Sequence, residues 1–405
     1  MKMKTILTMF ICLLIITVTI NYCCEHKNVT ISDSQKIIFN KLNYLFSDKP
    51  ISLKLTVDTS AINEDIKKSL KIGFIISDST SKYDGELYLK SKVFKTKVKL
   101  KGDLIDHIKS DRPSLKFKMN NQKSLMSMTS FSLSHPKVRS FQDEYIFHKL
   151  ANYVELLSPH YGFVLLSINS DKSKIYSIEE RLGQNFIKNK KLIPGIILKY
   201  DDSQYWQEKA REKNDNVLKS FAWNFSDIKC YENKKVKKNK ILKHQLINAK
   251  SLLKNFDLPL DSLFNIDEFA KYFALVDIFG FNHALVWHNI NFYYNPLSRK
   301  FSPIRSDGNK ITRNDCLSIF RSEKYFFYNN YSFMDSQIFV NRYHFFLRKY
   351  SNRNFMDKFF KSIENELSLI NVHLSKDFFA QSDWNKHQII TENINFISKY
   401  LKTLK

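Results

Sequence analysis

Two side chains that suit a hard cation stand at the two ends of a predicted β-hairpin. Residues 290–294 have the β-branched and aromatic composition of a strand, 295–296 make a turn, and 301–305 predict the returning strand. This hairpin brings Asn289, before its first strand, beside Asp307, after its second. An amide oxygen next to a carboxylate suits magnesium or calcium. The sequence therefore predicts a divalent-cation site, with two ordinary turns and no ion as the alternative.

The loop in front of this hairpin carries two histidines, His283 and His288. It follows an apolar helix that the sequence predicts over 266–279. The two histidines do not have the i, i+4 spacing of zinc ligands on a helix, and no cysteine pair accompanies them. A zinc site is therefore disfavoured, and His288 is interpreted as a structural hydrogen-bonding residue beside Asn289.

Four more segments precede the hairpin, and together with it they resemble one known family. They are KGDLIDH at 101–107, RPSLKFKM at 112–119, FSLSHPKVRSFQDEYIFHKL at 131–150 and YSIEERLGQNFI at 176–187. The set spans roughly residues 100–309 and resembles the spore coat protein H (CotH) kinase-like family. The resemblance depends on the ordered agreement of several blocks, because no single block carries it.

The resemblance implies an α+β fold of the atypical protein-kinase-like type. Such a fold would have an antiparallel-sheet N-terminal part and a helical C-terminal extension. It also implies binding of ATP with Mg²⁺ and transfer of phosphate to serine or threonine hydroxyls in secreted or coat proteins.

Four residues fall on positions of the family pattern that bind the nucleotide or support its binding. Lys116 and Lys118 match the basic positions of a strand over 114–119 and would face one side of it. Glu180 matches the acid that orients a phosphate-binding lysine. Arg139 matches an arginine that would contact a phosphate or pair with an acid. The alternatives are that the two lysines form the solvated face of an edge strand, and that Glu180 begins a helix.

The resemblance assigns the metal ion to Asn289 and Asp307, but the sequence departs from the family at the catalytic aspartate. Alignment on Gly280 places His283 there, with Asp277 one to two helical turns upstream. A neutral histidine accepts a proton from a hydroxyl but brings no negative charge to the metal. Two functions therefore stay open. One is an exported kinase that uses His283 or Asp277, and the other is an inactive pseudokinase in surface or coat assembly.

Composition excludes several other classes. The 405 residues include only 8 glycines, and neither G-x-G-x-x-G nor G-x-x-x-x-G-K-[ST] occurs, which excludes ordinary dinucleotide and P-loop folds. The net charge of +24 comes mostly from scattered lysines, so nucleic acid is a disfavoured partner. The dense run at 234–244 is interpreted as a solvated loop, with an acidic surface or anionic lipid as alternatives. The adjacent acids at 179–180 and 201–202 diverge and do not favour a glycosidase.

The N-terminal residues predict export. Lys2 and Lys4 precede a mostly apolar stretch at 5–20, which is typical of a secretory signal or a short membrane anchor. The predicted location is the cell envelope or the exterior, with lipidation at Cys23 or Cys24 as a further alternative.

The rest of the chain divides into a CotH-like domain over 25–309 and a helical extension over 310–405. The domain has a β-rich part at about 45–120 and an insertion at about 200–255. Between them the sequence predicts a hairpin of 162–168 with 174–178 and a helix over 179–188. No disulfide framework is indicated, although a bridge between Cys230 and Cys316 stays open.

Overall fold

The computed structural model describes residues 31–75, 80–121, 123–212, 226–255, 257–305, 307–320, 333, 335–378, 381 and 384–404. The predicted export segment at 1–24 lies outside these residues. Among the described helices, none combines the length and the apolar composition needed to cross a membrane.

The first part of the chain forms seven strands that close into a barrel. They are β1 Ser52–Val57, β2 Tyr83–Leu89, β3 Lys92–Leu100, β4 Leu115–Met119, β5 Ser130–Ser134, β6 Tyr161–Ile168 and β7 Lys174–Glu180. Around the barrel they follow the order β1-β2-β3-β4-β5-β7-β6. Neighbours are antiparallel except β1 and β6, whose parallel pairing closes the barrel. The predicted hairpin of β6 and β7 is confirmed.

Alternate residues of each strand fill the barrel. On β4, Leu115, Phe117 and Met119 are buried, whereas the two lysines between them point outward. Phe117 stacks on Phe131 of β5 with ring centroids 5.0 Å apart. The barrel therefore has its own apolar core, and its outer face is available to polar side chains or to covering helices.

Four further strands form a second sheet in the order β11-β10-β8-β9. They are β8 Ile196–Tyr200, β9 Ile228–Cys230, β10 Asn291–Asn295 and β11 Lys300–Ile304. The hairpin predicted in front of Asp307 is confirmed as β10 and β11, with Asn291 opposite Ile304. The segment predicted as an insertion supplies β9 at the edge of this sheet. Cys230 and Cys316 are both free thiols.

Twelve α-helices are described. They are α1 Ile31–Phe46, α2 Thr59–Ile72, α3 Gln142–Tyr153, α4 Gln184–Asn189, α5 Ser203–Glu212, α6 Asn233–Lys238, α7 Lys240–Leu253, α8 Leu260–Leu263, α9 Ile266–Phe279, α10 Gln337–Tyr350, α11 Arg353–Leu374 and α12 His387–Thr403. The helix predicted over 266–279 is confirmed as α9, which is buried over most of its surface. It ends at Gly280, whose φ of +71° favours glycine.

The predicted fold class, an α+β protein-kinase-like fold with an antiparallel-sheet N-terminal part, is wrong. The strands extend to residue 180 and close into a barrel of seven, beside a separate sheet of four. The helices α10, α11 and α12 share the core of α9, where Phe339 packs against Phe273. Barrel closure depends on the pairing of β1 with β6, which are far apart in the chain, and the periodicity of single strands does not reveal such a pairing.

Candidate functional site

The outer face of the barrel carries a row of polar side chains. Strand pairing aligns Lys99, Lys116, Ser132 and Glu179 across β3, β4, β5 and β7. Lys101, just beyond β3, shares this face because side chains alternate along an extended chain. The face is therefore basic and also holds the Glu179 carboxylate.

Lys101 and Glu179 form a buried ion pair on this face. Lys101 Nζ lies 3.0 Å from Glu179 Oε2, and the two side chains are 11% and 22% exposed. Burial disfavours the charge of Glu179, but Lys101, Arg139 and Arg305 outweigh it and hold the pKa of Glu179 at about 2. Glu179 is therefore ionised at neutral pH.

Asp307 approaches the same place from the end of β11. Its Oδ2 accepts from Arg139 Nη1 at 2.8 Å, and His283 Nε2 lies 3.8 Å from that oxygen. Of the two contacts predicted for Arg139, a phosphate or an acid, the structure contains the acid. Asp307 Oδ1 is buried and accepts no hydrogen bond from any residue that the structure describes. A buried carboxylate oxygen without a donor is suited to a cation.

Asn289 is linked to Asp307 through His283. Its Nδ2 donates to the His283 backbone oxygen at 2.9 Å. Within the described ranges no group donates to Asn289 Oδ1, so that oxygen is also available to a ligand. His283 therefore contacts both predicted metal ligands, Asn289 through its backbone oxygen and Asp307 through its ring.

A second group of charges adjoins the first. Lys199 on β8 lies 2.9 Å from Asp202, which raises the pKa of Lys199 to about 12 although burial disfavours its charge. Burial lowers the pKa of His288 to about 3, so its ring is neutral, and it stacks on Tyr205 at 5.6 Å. His288 thus packs among aromatic rings, with its ring centroid 6.5 Å from that of His283.

The two lysines predicted on β4 share the outer face but differ in burial. Burial and the nearby guanidinium of Arg181 lower the pKa of Lys116 to about 7. Lys118 is exposed. Of the two, Lys116 is the one that belongs to the charge cluster, which consists of Lys101, Lys116, Arg139, Glu179 and Asp307.

Glu180 lies outside this cluster. It is the last residue of β7, where alternation turns its side chain away from the face of Glu179. Its Oε1 accepts from Asn189 Nδ2 at 2.9 Å and its Oε2 from the His160 backbone N at 3.2 Å. A helix expected over 179–188 is replaced by the end of β7 and the shorter helix α4.

Asp277 also lies outside the cluster. Its carboxylate is fully buried and accepts from Ser318 N at 2.8 Å, Ser318 Oγ at 2.6 Å and the Tyr343 hydroxyl at 2.5 Å. These bonds explain why an acid is stable inside an apolar helix. They also engage both oxygens of the carboxylate.

Sequence reasoning did not single out Lys101 or Lys199, and it weighed Glu179 and Asp202 only as glycosidase carboxylates. Lys101 is the first residue of one of the segments that carry the family resemblance, and this position is the only feature of the sequence that marked it. Strand register decides whether Glu179 or Glu180 points to the outer face of the barrel. Residues 175–178 are all buried, so this strand lacks the alternation of buried and exposed residues that would indicate its register.

Comparisons with protein-family models and with curated proteins found no match for this chain. The resemblance to the CotH family therefore stays a prediction that depends on the segments quoted above.

Proposed function

We propose that this chain is a protein kinase by activity, although not by fold. It would bind ATP with Mg²⁺ at the charge cluster and transfer the terminal phosphoryl group to a serine or threonine hydroxyl of a protein. The observation that carries the proposal is the buried pair of Lys101 and Glu179 in one cluster with Asp307, whose Oδ1 lacks a donor among the described residues.

The cationic side chains support a phosphate ligand. Lys101, Lys116, Arg139 and Arg181 lie together without a glycine-rich loop, so side chains would hold the phosphates. Arg181 makes no ion pair or side-chain hydrogen bond with the described part of the chain. A partly buried guanidinium of this kind gains from an anionic ligand.

The oxygen ligands support a magnesium ion. Asp307 Oδ1 and Asn289 Oδ1 would bind it, while Arg139 contacts the other oxygen of Asp307. A bound magnesium ion neutralises the charge of the transferred phosphoryl group.

His283 is the candidate base. Its side chain is 42% exposed and lies next to Asp307, so an acceptor hydroxyl can reach it. The hydroxyl oxygen would bond to the terminal phosphorus, the bond from that phosphorus to the bridging oxygen of ADP would break, and the proton would pass to His283.

An inactive protein that only binds nucleotide is the second candidate. It is favoured by the hydrogen bonds that hold Asp277 away and by a histidine in place of a carboxylate. In this case the chain would act in surface or coat assembly. Both candidates share the export predicted from 1–24.

Calorimetric titration of the full chain with ATP, with and without Mg²⁺, tests both candidates. Asp307→Ala should abolish the Mg²⁺-dependent part of the binding. Intact-mass spectrometry after incubation with Mg-ATP and mixed proteins then reports phosphate transfer. Transfer supports the kinase, and binding without transfer supports the inactive protein. An absence of ATP binding by the unaltered chain would rule out both.

A further inference from the structure

The loop that carries Asp307 is held by buried acids of another element. Glu144, in the first turn of α3, is fully buried. Its Oε2 accepts from the backbone N of Gly308 at 3.2 Å and of Asn309 at 3.1 Å. The neighbouring Asp143 accepts from the backbone N of Ile311 at 3.0 Å. Three amides that follow Asp307 therefore depend on the start of α3.

The other oxygen of Glu144 binds the residue that precedes this loop. Arg305 Nη2 lies 2.5 Å from Glu144 Oε1, and neither side chain is exposed. Arg305 Nη1 lies 2.5 Å from His148 Nε2. Because a guanidinium only donates, His148 must accept at Nε2 and carry its proton on Nδ1. His148 Nδ1 lies 3.0 Å from the Pro159 carbonyl oxygen and donates a hydrogen bond to it.

Glu144, His148 and Glu179 have the chemistry of metal ligands and offer atoms within 4.8 Å of one another. Arg305 already supplies the positive charge there, since it contacts both Glu144 and His148. This cluster is therefore suited to holding an arginine rather than a metal ion. Glu144 attaches Arg305 on one side of Asp307, and the amides of Gly308 and Asn309 on the other side, to α3.

Packing reinforces this attachment. A Cβ on Gly308 would collide with the ring of Phe147, so the loop fits directly against α3. Asn309 has a φ of +61°. The hydrogen bonds that the backbone amides of Gly308 and Asn309 donate to Glu144 help to maintain this conformation. The direction of Asp307 is thus set by contacts on both sides of it.

We propose that Glu144 is a positioning residue for the Asp307 cation site. It touches neither the ion nor the nucleotide but fixes the loop so that Arg139 binds one oxygen of Asp307 and leaves the other to the cation. Without Glu144, the buried amides of Gly308 and Asn309 lose their acceptor and the loop must rearrange. Asp307 would then turn both oxygens toward Arg139. This inference rests on the proposed function, because it assumes that Asp307 binds a divalent ion.

The test measures Mn²⁺ binding to the full chain by electron paramagnetic resonance, in the presence of a non-hydrolysable ATP analogue. Glu144→Gln should weaken Mn²⁺ binding by about tenfold to a hundredfold, which is the usual effect of removing the support of a metal ligand. Glu144→Asp keeps the charge for Arg305 and should recover part of the affinity. Thermal unfolding of each variant shows that it is folded.

Asp65→Asn is the matched control. Asp65 is also a buried acid, and it accepts from Ser81 N at 2.8 Å and from the Tyr83 hydroxyl at 2.6 Å, on the barrel side of the molecule. The Asp65→Asn variant should be less stable than the unaltered chain, while its affinity for Mn²⁺ should be unchanged. Equal losses of affinity in Glu144→Gln and Asp65→Asn, or unchanged affinity in Glu144→Gln, would overturn the inference alone. An unaltered chain that binds no Mn²⁺ would instead overturn the proposed function.

Discussion

Lys101 Nζ lies 3.0 Å from Glu179 Oε2, although two strands, β4 and β5, separate β3 from β7 on the barrel. Strands lie roughly 4.8 Å apart, so the two backbones are separated by about 14 Å and only long side chains can meet. The lysine side chain therefore extends across the outer face of the barrel toward the row that contains Lys116 and Glu179. A buried lysine held in one direction is a preorganised ligand for phosphate.

Glu179→Gln should weaken Mg-ATP binding by about tenfold, equivalent to roughly 1.4 kcal/mol. The reason is that Lys101 loses the carboxylate that directs it, and Arg139 loses a nearby negative charge. Calorimetric titration measures the change. Glu180→Gln is the matched control, because the adjacent residue points to the other face and contacts Asn189. A similar loss in both variants would count against a specific role for the pair.

Lys116 should make stability depend on pH. Its pKa is lowered from 10.5 to about 7 in the folded chain. Between these values the unfolded chain binds a proton at Lys116 that the folded chain does not, so this residue's contribution to stability rises with pH. Below pH 7 both states are protonated, and the folded state carries the full cost of the buried charge.

Lys116→Met should therefore raise the melting temperature most at pH 6, and this gain should shrink as the pH rises to 10. Differential scanning calorimetry at several pH values measures it. Lys118→Met is the control, since Lys118 lies on the same strand face but is exposed. A gain that is the same at every pH for Lys116→Met would show that its charge is not disfavoured in the folded chain.

Substitutions at Asp277 and His283 should distinguish a structural role from a catalytic one. Asp277→Asn leaves buried donors from Ser318 and Tyr343 poorly paired and should cost about 2 kcal/mol of stability. His283→Ala should leave the melting temperature nearly unchanged, because the side chain is 42% exposed, but should lower phosphate transfer by about a hundredfold. Chemical denaturation and intact-mass spectrometry measure the two effects. Transfer at the normal rate by His283→Ala would exclude it as the base.

Gly280→Ala should destabilise the chain more than Gly73→Ala. Both glycines have positive φ, which costs alanine about 1 to 2 kcal/mol. At Gly280 the new Cβ would also collide with the Thr312 carbonyl, whereas nothing lies within 4 Å at Gly73. Urea denaturation should show a loss of about 3 kcal/mol for Gly280→Ala, within the range of severe packing defects. Equal losses of stability in the two variants would mean that the backbone at Thr312 moves away from the new Cβ without cost.

Short-range patterns in the sequence determined several elements of this protein. The helix at 266–279 and the hairpins of β6 with β7 and of β10 with β11 were predicted because their residues are close in the chain and their periodicity is local. The β10–β11 hairpin placed Asn289 and Asp307 at neighbouring ends, and His283 links them in the structure.

Tertiary structure alone decided the barrel and the choice of charged partners. Parallel pairing of β1 with β6 closes the barrel, and β5 pairs with β7 as far as Glu180, where the sequence favoured a helix. That pairing turns Glu179 toward Lys101 and Glu180 away from it. A shift of one residue along a strand reverses the direction of a side chain, and only the hydrogen bonds between distant strands fix that register.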